Sequence, residues 1–460
     1  MYRLDAVGEW LHDELPRLLA RHGVPGAAVA VSRGDDVVDV AAGVLNRATG
    51  VTATTDSLFH IGSITKVWTA TLAMQLVDEG ALDLDAPVRR YLPDFALADE
   101  DAAARITVRQ LMCHVAGFEG DVFTDTGKGD DRVARYVRRL RDVPQLYPPG
   151  AMFSYNNAAF CVLGRVVEVL RERPFDDCVR DHLFTPLGLS HAANDPYEAI
   201  LHRAALGHLR RAADADPEPA PAWTTVPSNS PAGAMLAMRP RDLLTFVRTH
   251  LSGGVGPDGR RVLSAASVQA MQERQVELPG DGLGDAWGLG WEIVDAPGGP
   301  VIGHDGATVG QWAYLRVVPE REVAVTVLVN GGPARPVFRA IGARVLRELA
   351  GVELPPAPVP DPSPAPFDAS RVVGTYRSSM AETVVDRDDA GRVWLEQTPT
   401  PVAVGLGDQP YRTELVGWRG DTLLTAEPEN GEHTPYAFLG GPARGPAAFL
   451  HDGRAHPRSS

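Results

Sequence analysis

Lysine is almost missing from this 460-residue chain: Lys66 and Lys128 are the only two, and arginine supplies the other 42 of its 44 basic residues. Arginine cannot give up its proton in a protein, whereas a buried lysine can, so chemistry that needs a neutral amine would keep a lysine despite this bias. Cysteine is scarce too. Cys113, Cys161 and Cys178 have the spacing of neither a zinc site nor a disulfide framework, and are read as buried reduced thiols without a role. No apolar run is long enough to span a bilayer. The first 26 residues mix acids and bases in an amphipathic helical pattern that lacks the apolar core of an export signal. The expectation is a cytoplasmic protein with no membrane partner. Positive charge is short overall, with a net charge of −15 and a pI near 5.3, which argues against the basic patch that nucleic acid requires. There is also no Gly-x-Ser-x-Gly elbow, no His-Glu-x-x-His and no phosphate-cradling glycine loop. Those absences remove the usual support for α/β-hydrolase, zinc-protease and nucleotide-dependent chemistry, and no cofactor is implied.

What is present is an ordinary globular composition, 44% hydrophobic and 22% charged, in a chain longer than one core usually supports. A large unit plus a smaller one is expected. PGAAVAVSRGDDVVDVAAGV reads as two strands around a Gly-Asp turn, and residues 63–80 as a helix that Gly80 ends. Residues 100–250 alternate helix-like segments (ITVRQLMCHVAG, DRVARYVRRL, AAFCVLGRVVEVLRE, RPRDLLTFVRTHL) with loops bearing proline and glycine. Strands return with GLGWEIV, VIGHDG, QWAYLRVV and EVAVTVLVN, before a helix through FRAIGARVLRELAG. Strands at both ends of a helical insertion predict one sheet whose halves are distant in sequence. Residues 351–367 are dense in proline and predict an extended spacer between a unit 1–350 and a unit 368–460. The latter contains strand-like runs (RVVGTY, ETVVD, RVWLEQ, DTLLTA, AAFLHDG) that suit a small antiparallel barrel or sandwich.

Three stretches carry chemistry. In FHIGSITK, Ser63 and Lys66 stand three apart at a helix start, so both lie on one face and the amine can reach the hydroxyl. The helix dipole and burial both favour the neutral amine, which can then take the serine proton. In FSYNNAAF, the Tyr155 phenol near a cation is expected to titrate low enough to relay a proton, and the Asn157 amide can hold an acylamide substrate. In GHDGATVGQWAYLRVV, His304 and Gly306 open an apolar strand; the glycine admits close backbone approach, and the Ala307 amide can face an oxyanion together with the Ser63 amide. Ser-x-x-Lys alone is a weak signal, and a second His-Asp-Gly at His451 shows how easily the third motif recurs.

In this order the motifs resemble the serine β-lactamase and penicillin-binding-protein superfamily, particularly its class C-like esterases and peptidases. LMCHVAGFEG, YPPGAMFSYNNAAFCVLG, HLFTPLGLSH, SPAGAMLAMRPRDLLTF and GLGWEIV extend the likeness across residues 10–350. The resemblance implies an α/β (α+β) fold of the β-lactamase/transpeptidase type, with an antiparallel sheet, a helical domain beside it and the active site between. It implies Ser63 as nucleophile, Lys66 and Tyr155 as the base pair, Asn157 as a substrate-amide contact, and His304 with Gly306 as the third motif. Histidine at 304 stands where β-lactamases carry the lysine of Lys-Thr-Gly, which weakens the grip on a β-lactam carboxylate; alanine also replaces the usual serine in LMCHVAG. In location, length and a small lipocalin-like C-terminal β domain, the chain is similar to penicillin-binding-protein-type thioesterases, which release and cyclise nonribosomal peptides from a carrier-protein thioester. On that reading the acidic loop with Glu119, Asp121 and Asp125 is either a solvated lid, as charge runs usually are, or a holder of a substrate ammonium, and Arg454 reaches the cleft from the β domain. A D-amino-acid peptidase or carboxylesterase, or an acylated sensor without turnover, are the other expectations.

Overall fold

The computed structural model describes residues 4–210, 215–279, 282–429, 431–442 and 445–459; the first three residues of the predicted N-terminal helix lie outside that set. Helix α1 (Leu4–His22) buries Val7, Leu11, Leu15, Leu18 and Leu19, one stripe at helical spacing. After it, β1 (Gly26–Arg33) and β2 (Asp36–Asn46) form the predicted hairpin, with Gly34 at φ +57 in the turn. Helices α2 (Thr65–Asp78), α3 (Asn157–Arg171) and α4 (Pro240–Leu251) follow. The chain then returns through β3 (Glu292–Val294), β4 (Val301–Thr308), β5 (Gln311–Val318), β6 (Val323–Val329) and α5 (Ala334–Val345).

The two strand-rich ends meet as predicted, because β6 pairs antiparallel with β1. The resulting sheet runs Val51–Thr52, β2, β1, β6, β5, β4, β3, Ala286–Trp287, Val276–Glu277. Along β1 the side chains alternate between two cores: Ala27, Val29 and Val31 face α1 and α5, while Ala28 and Ala30 face the helical unit. Trp68 of α2 stacks on Phe246 of α4 with ring centroids 3.9 Å apart, pinning the helix that carries Lys66.

Two predicted segments are shorter than expected. In LMCHVAG the helix ends at Met112, since His114 turns into the left-handed region at φ 58. In GLGWEIV only Glu292–Val294 is strand; Gly290, at φ +89, breaks the extension before it.

Residues 351–367 contain no helix or strand. The segment is nonetheless packed at both ends: Val352 is buried in the α1/α5 core, and a Cβ on Gly417 would stand 1.9 Å from the Ala365 carbonyl oxygen. Beyond it lie eight strands: β7 (Gly374–Arg377), β8 (Ala381–Arg387), β9 (Val393–Pro399), β10 (Tyr411–Arg419), β11 (Thr422–Thr425), β12 (Pro435–Leu439), β13 (Phe449–His451) and β14 (Ala455–Pro457). They pair in sequence order. A bridge between Tyr376 and Arg458, with the Ser459 amide donating to the Thr375 carbonyl at 2.7 Å, nearly closes the sheet into a barrel around Tyr376, Leu395, Leu423 and Phe438. The fold is thus the β-lactamase-like α/β architecture with an added antiparallel barrel.

The β13–β14 hairpin reaches the catalytic unit. His451 Nε2 donates to the Phe153 carbonyl at 2.9 Å, the Tyr155 amide donates to the Gly453 carbonyl at 3.0 Å, and the Ala455 amide donates to Ser154 Oγ at 3.0 Å.

Candidate active site

Ser63 lies in a single 3₁₀ turn, Gly62–Ile64, that leads directly into α2. One turn on, the Lys66 side chain is wholly buried. Its Nζ stands 3.1 Å from Ser63 Oγ, 2.7 Å from Asn157 Oδ1 and 2.7 Å from the Ala232 carbonyl oxygen. The last two atoms can only accept. A neutral amine has two N–H groups and one lone pair, so those acceptors take both protons and direct the lone pair at the Ser63 hydroxyl. Burial pushes the Lys66 ammonium down to about 7, assisted by the Arg454 charge and opposed by the Asp121 charge. The Cys161 thiol is itself pushed up to about 12 by burial, so it is uncharged where Lys66 titrates. The predicted neutral amine is therefore accessible near neutral pH.

The phenol behaves opposite to expectation. Tyr155 is buried, and burial raises its hydroxyl well above the ordinary value, overcoming the lowering by the Ser63 side chain and Arg454. No hydrogen bond of ordinary geometry reaches that hydroxyl among the described residues. Lys66 Nζ lies 4.8 Å from the Tyr155 ring centroid, over the face of the ring. Tyr155 is thus a neutral phenol beside the amine, able to donate its proton and recover it.

Asn157 begins α3 and spends each end of its amide once: Oδ1 on Lys66, and Nδ2 on Asp121 Oδ1 at 2.5 Å. One N–H and one lone pair remain for a substrate amide. Asp121 also accepts from Arg454 Nε, and Arg454 lies 5.0 Å from the Tyr155 ring centroid. In the acidic loop, all three carboxylates are engaged within the protein. Asp121 already holds a protein cation, Glu119 accepts from the amides of Asp121 and Ser379, and Asp125 closes a turn with Gly127.

His304 is buried, with Nδ1 bonded to the Asp305 carbonyl oxygen at 2.6 Å, which leaves a lone pair on Nε2. Burial pushes it down to about 3, so it is uncharged. Its ring meets Trp287 and Tyr155 edge-on at 5.3 and 6.1 Å. No hydrogen bond joins it to Ser63 or Lys66.

Glycines set the approach of strand and turn. A Cβ on Gly306 would stand 2.0 Å from the Ile61 carbonyl oxygen and 3.0 Å from the Ser63 amide, and one on Gly62 would stand 2.5 Å from the Ala307 amide. The Ser63 and Ala307 amides therefore meet at one junction, where β4 touches the nucleophile's turn.

Of the predicted residues, Ser63, Lys66, Tyr155, Asn157 and Arg454 form one contact network, with Gly306 and Ala307 at its edge and His304 behind it. Sequence reasoning missed His114, whose ring stacks on Tyr155 at 4.3 Å, and Trp287, which meets His114 and His304. It also missed Gly233, where a Cβ would stand 2.9 Å from the Ser63 amide. His114 and Gly233 sit inside LMCHVAG and SPAGAM, so a signal was there; the Ala232 carbonyl, being backbone, left none. Lys128 lies exposed in a loop.

A buried lysine one turn beyond a serine, with a tyrosine and an asparagine around it, is the constellation of a serine acyl-transfer enzyme. The chain belongs to the Beta-lactamase family, whose model matches residues 11–349. It is 45% identical over 361 residues to penicillin-binding protein 4 of Amycolatopsis lactamdurans, covering 78% of this chain and 94% of that protein. It is 26% identical over 339 residues to the unguisins hydrolase ungD' of Aspergillus campestris, covering 71% of this chain and 62% of that one. Among solved structures, SurE superposes with a TM-score of 0.79 at 29% identity, over 99% of this chain and all of that one. That likeness includes the C-terminal barrel.

Proposed function

We propose that this enzyme takes a peptidyl group onto Ser63 from a carrier-protein thioester and releases it by head-to-tail amide formation. The observation that carries the acyl-transfer step is the Lys66 lone pair, directed at Ser63 by two obligate acceptors. Ser63 Oγ attacks the thioester carbonyl as its proton passes to Lys66, and the oxyanion forms against the Ser63 and Ala307 amides. Collapse expels the thiolate, which takes the proton back from Lys66 as a thiol. The peptide's own amine then attacks the ester, its surplus proton moving to Lys66 and from there, with Tyr155 as a neutral donor, to the departing Ser63 oxygen.

Two observations support a peptidyl substrate. The barrel hairpin brings Arg454, paired with Asp121, beside Tyr155, which places polar groups of the barrel at the edge of the site. SurE, alike over nearly the whole chain, has also been solved with D-Leu, which fits a D-configured acyl residue. A relative named as a hydrolase supports water as the competing acceptor. The test is a synthetic peptidyl thioester ending in a D-residue, with products weighed: a product lighter by water than the linear acid supports the cyclase, linear acid alone assigns a hydrolase, and a persistent adduct assigns a sensor.

A further inference from the structure

Four contacts run without a gap from the barrel to the nucleophile. Arg454 Nε donates to Asp121 Oδ2; Asn157 Nδ2 donates to Asp121 Oδ1 at 2.5 Å; Lys66 Nζ donates to Asn157 Oδ1 at 2.7 Å; and Lys66 Nζ lies 3.1 Å from Ser63 Oγ. Asp121 is only 6% exposed, so its charge is little screened by water.

Asp121 acts on Lys66 in two ways. A carboxylate only accepts, so its bond to Nδ2 fixes which end of Asn157 faces the amine and thereby aims the Lys66 lone pair. Its negative charge also favours the ammonium form of Lys66, and the Arg454 guanidinium opposes that effect. The other titratable groups facing Lys66 are uncharged near neutral pH. Burial holds His114, in the loop after residue 112, and His304, on β4, below their usual range, and holds Tyr155, ahead of α3, and Cys161, on α3, above theirs. The charge balance at the amine thus comes down to one pair, Asp121 and Arg454.

We propose that Asp121 is a positioning residue whose carboxylate weakens Lys66 as a base unless Arg454 of the barrel hairpin neutralises it. With the hairpin seated, the neutral amine is populated near neutral pH and Ser63 is activated. With Arg454 withdrawn, Asp121 faces the active site as a lone charge, Lys66 holds its proton over a wider pH range, and Ser63 is activated less. The rate of acyl transfer is in this way tied to the barrel being docked. The inference rests on the acyl-transfer roles of Ser63 and Lys66 and is independent of which acceptor resolves the acyl-enzyme.

The test is the pH dependence of Ser63 modification by a neutral fluorophosphonate, in which Oγ displaces fluoride at phosphorus and no peptide recognition is needed. The full-length wild type should show an acidic limb near 7. Arg454→Met should move that limb up by about one unit, about a tenfold loss of rate on the limb. Asp121→Asn should move it down. Asp121→Asn combined with Arg454→Met should return it toward wild type, a rescue that a purely structural role for Arg454 would not give. An unmoved limb in Arg454→Met, or a double variant no faster than Arg454→Met, overturns the proposal. Should Arg454→Met fail to fold, Asp121→Asn alone decides, since an unmoved limb there is equally fatal. Wild type labelled no better than Ser63→Ala would instead take down the acyl-transfer reading itself.

Discussion

Lys66 Nζ sits 2.7 Å from Asn157 Oδ1, a residue 91 positions away, and this one bond shapes the chemistry of the amine. Replacing Lys66 by arginine removes the ability to shed a proton, so the variant should fail to acylate. General-base catalysis is worth about 10²- to 10⁴-fold. Ester turnover by Lys66→Arg should fall by that order and that of Ser63→Ala to background. A Lys66→Arg variant with near-normal kcat would show that another group accepts the serine proton.

The pH profile follows from the same group. The active form of Lys66 is the deprotonated one, and burial brings it to about 7. Below that pH, kcat/KM for a neutral ester should fall about tenfold per unit; above it the profile should level off. Tyr155, pushed upward by burial, keeps its proton across this range. Tyr155→Phe should therefore lower the plateau while leaving the limb near 7 in place. If the limb disappears with the hydroxyl, the titrating group is the phenol and the assignment of the base is reversed.

The motifs made most of this legible before any coordinates. Ser63 and Lys66 were readable because i and i+3 share a helix face whatever the tertiary fold does, and the pairing of β1 with β6 because both carry apolar runs with strand spacing. Strand β10 was missed for a physical reason: its buried positions, Thr413, Leu415 and Gly417, carry little hydrophobic signal. The sign of the Tyr155 shift was also out of reach, since it depends on how much protein covers the ring, and the rings that cover it, His114 stacked and Trp287 edge-on, arrive from distant positions. Asp121 was visible as an acid in a loop. Its partner lies 333 residues away, and no local pattern announces such a pair.

The glycine junction gives a third expectation. Gly306→Ala would place a Cβ 2.0 Å from the Ile61 carbonyl oxygen, and neither backbone can yield without separating the Ser63 and Ala307 amides. Losing one oxyanion donor costs about 10²- to 10³-fold in kcat, and a loss of that size should appear with KM little changed. Gly405→Ala is the control, because nothing lies within 4 Å of its Cβ position and alanine suits the helix Pro401–Leu406. Equal losses at both positions would dissociate the effect from the junction.

Behind the same strand lies a buried ion network that should govern stability rather than chemistry. Glu292 on β3 and Arg316 on β5 both pair in register with Gly303 of β4. Because Gly303 has no side chain, the Arg316 side chain crosses it, at 2.9 Å from where a Cβ would stand. It reaches Asp305 at 2.6 Å and Glu292 at 3.5 Å. Burial already raises Glu292 to about 7, with Arg316 pulling it down. Arg316→Met removes that restraint, leaving two carboxylates without their cation, a change worth about 3–5 kcal/mol against the folded state. The sign of the pH effect is then fixed: an acid whose folded-state value lies above its unfolded value stabilises at low pH and loses that contribution as pH rises. Urea denaturation of Arg316→Met should therefore show a midpoint that drops between pH about 5 and 8, and adding Glu292→Gln should flatten the slope and recover part of the loss. A midpoint insensitive to pH in Arg316→Met would mean that Glu292 finds another partner once the guanidinium is gone, and that the arginine crossing Gly303 is not what holds these three strands in register.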